Sequence, residues 1–199
     1  MEYTANHIEL CGALAELPRF SHENHGRRFY GFPLEVERLS GTVDILPVIV
    51  PETVLWAMDL SGGQMLSVIG QIRTHNNRAG EGRRLVVSVY AESLASCDGQ
   101  PENQVELTGV ICREPVYRQT PLGREICDVM LAVNRPYHRA DYIPCILWGR
   151  NAALGRFCQV GDGLHLTGRF QSRDYIKVIG DESLQRTAYE VSAMTVEVV

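Results

Sequence analysis

Asn6-His7-Ile8-Glu9-Leu10-Cys11-Gly12 returns as Asn103-Gln104-Val105-Glu106-Leu107-Thr108-Gly109, and this echo decides how the 199 residues divide. Self-similarity at a fixed spacing marks a duplicated structural unit. The offset of 97, from residue 6 to residue 103, holds without a gap to residue 50 and carries 13 identities in 45 positions. Among them are Pro18 with Pro115, Arg38 with Arg135, Asp44 with Asp141 and Ile49 with Ile146. One residue inserted in the second copy then sets Gly63 and Gly70 on Gly161 and Gly168. Two copies of one fold are expected, at 1–98 and 103–199, joined by the small polar stretch Ser96-Cys97-Asp98-Gly99-Gln100-Pro101-Glu102 with its boundary near Gly99.

The second copy reads as a series of strands. Val105 to Ile111 alternates apolar and polar residues, a turn follows at Thr120-Pro121-Leu122-Gly123, and Glu125 to Val133 and Tyr142 to Trp148 are rich in β-formers. Gly149 to Cys158 carries Ala153, Leu154, Phe157 and Cys158 at helical spacing and is ended by Gly161-Asp162-Gly163. Strands at Leu164 to Gln171 and Thr187 to Val199 complete the copy, with Tyr175 and Lys177 in the hairpin loop between them. In the first copy Pro51 to Met58 takes the helix position, with Pro51 suited to a first turn. Sandwiches remain open on pattern alone, but a helix between the third and fourth strands favours an all-β chain of two tandem OB-folds, each a five-stranded Greek-key barrel.

Hydrophobic residues make up 45% and charged residues 22%, enough apolar material for packed cores and against a disordered chain. No apolar stretch approaches the roughly 18 residues of a membrane helix, and Met1 to His7 lacks the features of a signal peptide, so a soluble intracellular protein without membrane partners is expected. Six cysteines include no Cys-x-x-Cys pair, and Cys127, Cys145 and Cys158 fall in apolar runs, so reduced buried thiols are expected in place of disulfides or a metal site. The six histidines offer only the loose His22-x-x-His25, and no phosphate loop or nucleophile elbow occurs. The residues therefore give no enzyme, no metal and no cofactor.

The net charge of -5 argues against holding a polyanion by bulk charge, yet Lys177 is the one lysine among 19 basic residues and the other 18 are arginines. Guanidinium groups stack on rings and grip phosphates, although a codon bias toward Arg gives the same count.

Leu131-Ala132-Val133-Asn134-Arg135-Pro136-Tyr137, Asp141 to Arg150, Gly161-Asp162-Gly163-Leu164 and Gly168 to Tyr175 resemble, in order and spacing, the bacterial single-stranded DNA-binding proteins. That resemblance covers residues 103–199 and reaches 6–95 mainly through the internal repeat. It implies an OB-fold that binds and protects single-stranded DNA with little sequence preference in replication, recombination and repair, in the cytoplasm with the nucleoid. The family's base-stacking positions fall on Tyr137, Tyr142, Trp148 and Tyr175. Interleaved with these rings are Arg135, Arg139, Arg150, Arg169, Arg173 and Lys177, the candidate phosphate contacts. A ring gains roughly 1 to 3 kcal/mol per stacked base whatever the base. Tyr142 and Trp148 share one strand face, which suits a stacking track or a core; the wholly apolar opposite set of Ile143, Cys145 and Leu147 makes the better core.

In the first copy the same four positions hold Ser40, Ile45, Pro51 and Asn77, none aromatic. Residues 1–98 carry 8 Arg and 12 acidic residues, a net of -4, against 11 basic and 12 acidic residues from 99 on, a net of -1. The first copy is therefore read as a degenerate barrel that completes the assembly, touching DNA at most through Arg73, Arg78, Arg83 and Arg84. The resemblance implies a homodimer of four barrels. The chain stops at Met194 to Val199 within a strand, so the acidic C-terminal tail by which such proteins recruit repair enzymes is not expected. The competing reading is a primosome-like OB-fold interaction module with weak nucleic-acid affinity, favoured by the net negative charge and the lost rings of the first copy.

Overall fold

The computed structural model describes residues 6–77, 85–179 and 182–199. The first copy forms β1 (Asn6–Leu14), β2 (Arg19–Asn24), β3 (Arg27–Glu37), β4 (Val43–Pro51), α1 (Glu52–Leu55), β5 (Met65–Asn76) and β6 (Leu85–Ser96). The second forms β7 (Glu102–Ile111), β8 (Val116–Gln119), β9 (Glu125–Arg135), β10 (Arg139–Trp148), α2 (Arg150–Gly155), β11 (Gly163–Ile179) and β12 (Glu182–Val198). The strands run in one sheet, β2-β3-β4-β6-β5-β1-β7-β11-β12-β10-β9-β8, and the further pairings β1 with β3 and β7 with β9 close each half into a five-stranded barrel. The short β2 and β8 stand outside the barrels as hairpin partners of β3 and β9. Both halves are OB-folds in tandem, with the helix between the third and fourth barrel strands.

Period-two patterning fixes the barrel interiors. In β4, Leu46, Val48 and Val50 point inward, and in β10 Ile143, Cys145 and Leu147 do the same. Ile146 breaks the parity: flanked in register by Asp128 and Ser192, it too is buried. Gly70 and its counterpart Gly168 sit at bulges, where an added Cβ would run into the carbonyl oxygens of Tyr90 and Ser192, so the repeat keeps glycine for close approach.

The sequence expectations need three corrections. The helices are shorter than 51–58 and 149–158, and α2 buries Ala152 and Gly155 while Leu154 and Phe157 face outward. It lies so near the barrel that a Cβ on Gly155 would press on the Leu147 side chain and the Cys127 sulfur, so small residues take the inner face. Tyr175 and Lys177 lie in no loop: β11 and β12 stay paired to Ile179 and Glu182, and this arm leaves the barrel, so it lacks the alternation that marks a half-buried strand. Finally, Cys11 and Cys97 form a disulfide across 86 residues of chain. Met65 at the start of β5 accepts a backbone hydrogen bond from Cys97, which brings the end of β6 toward β1, a closeness that local cysteine spacing cannot reveal. Cys112, Cys127, Cys145 and Cys158 are free thiols, and burial pushes Cys127 up to about 11 and Cys145 further, which keeps them unreactive.

The two barrels meet across a pseudo-twofold axis. β1 and β7 pair antiparallel with Ile8 opposite Val105, its own counterpart in the repeat. Around this axis the contacts are reciprocal. Asp44 accepts hydrogen bonds from the backbone N–H and hydroxyl of Ser172 in the other barrel, at 2.7 and 3.0 Å, and two from Arg38 at 2.6 Å. Asp141 accepts from the Thr74 backbone N–H at 2.7 Å and from Arg73 at 3.1 Å, with Arg135 Nε 3.2 Å away. Both carboxylates are 0% exposed. Burial pushes the Asp44 carboxyl up, but the hydrogen bonds from Arg38 and Ser172 outweigh it and hold the group below its ordinary range.

Candidate nucleic-acid interface

Trp148 closes β10 on its outward set, 38% exposed, and its indole N–H donates to the Ser192 hydroxyl on the neighbouring β12 at 3.0 Å. That bond fixes the ring edge and leaves part of the ring open over a groove. Arg169 and Arg173 from β11, Arg124 from the loop before β9, and Arg38 from the first barrel line the same groove. A planar apolar ring amid guanidinium groups can hold a base by stacking while the cations sit near its phosphates.

The electrostatics are partly balanced from within. Glu190, buried beneath the groove, accepts two hydrogen bonds from Arg173 at 3.2 Å and one from Gln171 at 3.1 Å. These hold the Arg173 guanidinium in place, 6.0 Å from the centroid of the Tyr175 ring. Arg169 leans on Gln171 at 3.4 Å.

The remaining candidates spread along β10 and the arm. Tyr142 is exposed six residues from Trp148 on the same face, roughly 20 Å along an extended strand. Tyr137 is 91% exposed in the turn from β9 to β10, where it and His138 adopt φ of 63° and 55°. Such left-handed conformations are uncommon for bulky residues and set this ring out from the barrel. Arg139 is exposed beside that turn and Arg150 at the start of α2. Lys177 follows Tyr175 along β11; its side chain lies outside the described residues. Arg135 stands apart from the groove, half-buried against Asp141 between the barrels. Thus Trp148, Arg169 and Arg173 line one groove with Tyr175 beside Arg173, Tyr142 and Tyr137 are exposed further along β10 and its turn, and Arg135 sits at the junction.

Arg38 and Arg124 were not among the sequence candidates, although both are identities of the repeat, with Arg135 and Arg27. In the first copy Arg73 also joins the junction through Asp141, while Arg78, Arg83 and Arg84 lie outside the described residues. Among the described residues no group of three or more His, Cys, Asp or Glu is placed to hold a metal, and no helix is long and apolar enough to cross a membrane.

Comparison with known proteins agrees with this geometry. The profile of the Single-strand binding protein family matches residues 102–199. Single-stranded DNA-binding protein B of Bacillus subtilis is 38% identical over 80 residues, 37% of this chain and 71% of that protein. Single-stranded DNA-binding protein 1 of Lactococcus lactis is 36% identical over 80 residues, and there the matched segment spans 53% of the relative. The crystal structure of the wild-type single-stranded DNA binding protein from Thermus aquaticus superposes with a TM-score of 0.80 at 24% identity, covering 98% of this chain and 92% of that one. The last likeness extends the fold to both barrels.

Proposed function

The chain belongs to the single-strand binding protein family, and from that premise we propose that it coats single-stranded DNA without regard to sequence and protects it in replication, recombination and repair. Its role is to bind, not to catalyse. The observation that carries this reading is the part-open Trp148 ring, tethered by Ser192 and set among Arg169, Arg173, Arg124 and Arg38. Bases stack on Trp148 and Tyr175, with Tyr142 and Tyr137 continuing the track, while Arg139, Arg150, Arg169, Arg173 and Lys177 follow the phosphates. Stacking accepts every base because each presents a π-face. It does not sense the 2′-hydroxyl, so preference for DNA over RNA rests on family membership.

In this reading residues 103–199 are the principal DNA-binding domain and residues 1–98 complete the assembly. Two chains form a homodimer of four barrels, which sedimentation would show as twice the 22.3 kDa chain mass. Its place is the cytoplasm, with the nucleoid. The experiment is a titration of labelled oligo-dT, followed by anisotropy at several salt concentrations. Binding that weakens linearly in log–log form as phosphate-bound counterions compete is the expected result, and mixed-sequence strands should bind nearly as well. Absence of salt-sensitive binding rejects the reading.

A further inference from the structure

We infer that the first barrel carries a second single-strand-binding groove of its own, in which Phe29 and Tyr90 stack bases and Arg73 meets the phosphates; this rests on the reading of the chain as a single-strand binder. The pseudo-twofold axis gives the place to look. The groove beside Trp148 has a counterpart in the first barrel, lined by Arg73, Thr74, His75, Ser88 and Tyr90 where the second barrel has Gln171, Ser172, Arg173, Glu190 and Ser192. Each groove also receives one arginine from the opposite barrel, Arg38 in one and Arg135 in the other.

The ring is not lost from this place but moved by one strand. In the second barrel Trp148 is flanked by Ile126, its partner in register on β9, and Ser192, its hydrogen-bond partner on β12. In the first barrel the tryptophan position is Pro51, and its two flanks carry the rings: Phe29 opposite Pro51 on β3, and Tyr90 on β6. Pro51, at the head of α1, lines one cleft together with both rings. Their centroids lie 6.4 Å apart at 50°. His22 on β2 stacks on Phe29 at 4.8 Å and 11°, which extends the surface outward. The Arg73 guanidinium lies 5.8 Å from the Tyr90 ring while one of its nitrogens is anchored on Asp141.

Charge is arranged alike in the two grooves. Where buried Glu190 ties down Arg173 in the second groove, the first has Ser88, and buried Asp141 pairs instead with both Arg73 and Arg135. Glu52 and Glu92 line the adjoining cleft with the same two rings, so phosphates are expected on the Arg73 side. Phe29 and Tyr90 are half-buried, open enough to offer a face and packed enough to hold it still.

Photo-crosslinking of the full-length chain to oligo-dT carrying 5-iodouracil, with mass-spectrometric mapping, tests this. Crosslinks at Phe29 or Tyr90 as well as at Trp148 or Tyr175 are expected. Crosslinks confined to residues 103–199 overturn the second groove while leaving the single-strand reading intact; absence of both binding and crosslinks overturns both. Substitution by the other barrel's own residues, Phe29→Ile with Tyr90→Ser, should weaken binding of a long oligo-dT about tenfold. Tyr90→Phe, which keeps the ring, should bind like the native chain. If Tyr90→Phe loses as much as Phe29→Ile with Tyr90→Ser, the tyrosine acts through its hydroxyl and stacking is refuted.

Discussion

The two barrels share a strand order, bulge glycines and reciprocal carboxylate clamps, and differ in where they keep their rings. The second barrel places one large indole at the end of β10, braced by a hydroxyl on β12. The first has proline at that position and carries Phe29 and Tyr90 on the strands at either side. A duplicated fold thus keeps what its shared axis requires while the rings of its outer surface differ between the copies. The unequal charge of the halves is a weaker guide than it first reads, since each groove sets its arginines against a buried carboxylate, Glu190 in the second and Asp141 in the first.

The strongest way to sharpen the contrast is to remove the second barrel's rings. Trp148→Ala with Tyr175→Ala should cost about 4 kcal/mol of oligo-dT affinity, taking two stacking contacts at the middle of their range. Anisotropy titration at fixed salt checks it. A smaller loss than that from Phe29→Ile with Tyr90→Ser would invert the proposed ranking of the barrels.

The junction should instead respond symmetrically. Asp44→Ala strands the Ser172 donors and Arg38, and Asp141→Ala strands the Thr74 donors with Arg73 and Arg135, so each should lower stability by about 3 kcal/mol in denaturant unfolding. A large difference between them would show that the axis is not energetically balanced. Asp44 also sets a pH dependence: its carboxyl is held below the unfolded value of about 3.9, so its contribution is complete above that pH and is lost as pH falls further toward the folded value. An Asp44→Asn chain should accordingly show a flatter loss of stability in acid.

Much of this was legible in the sequence. The echo of Asn6 to Gly12 in Asn103 to Gly109 gave both barrels, and the parity of Tyr142 and Trp148 against Ile143, Cys145 and Leu147 gave the outward face. The rest hid for physical reasons. Position-for-position comparison of the copies finds Pro51 where Trp148 stands and stops there; that Phe29 and Tyr90 are neighbours of this place depends on strand pairing. Arg135, read as a phosphate contact, sits beside Asp141, a juxtaposition set by the packing of the barrels. The Tyr175 arm escaped because strands exposed on both faces lose alternation, and the Cys11–Cys97 bond because its partners meet only when β6 returns beside β5.

That disulfide separates the halves in a further way, since position 108, the counterpart of Cys11, is threonine. Cys97→Ser should cost about 2 kcal/mol, below the entropy estimate for so long a loop because the barrel already orders its ends. Differential scanning calorimetry, with and without reductant, reads it; a reductant effect persisting in Cys97→Ser would assign the stabilisation elsewhere. Smallest of all, Arg150→Ala should reduce the salt slope of binding by about 1 and barely alter stability.

The most direct measurement follows the emission of Trp148 in a Trp56→Phe chain, where it is the remaining tryptophan, during titration with oligo-dT. Stacking predicts quenching that saturates with binding and reverses when salt is added. Tight binding with the emission unchanged would place the DNA away from Trp148 and contradict the second barrel's groove as the principal site.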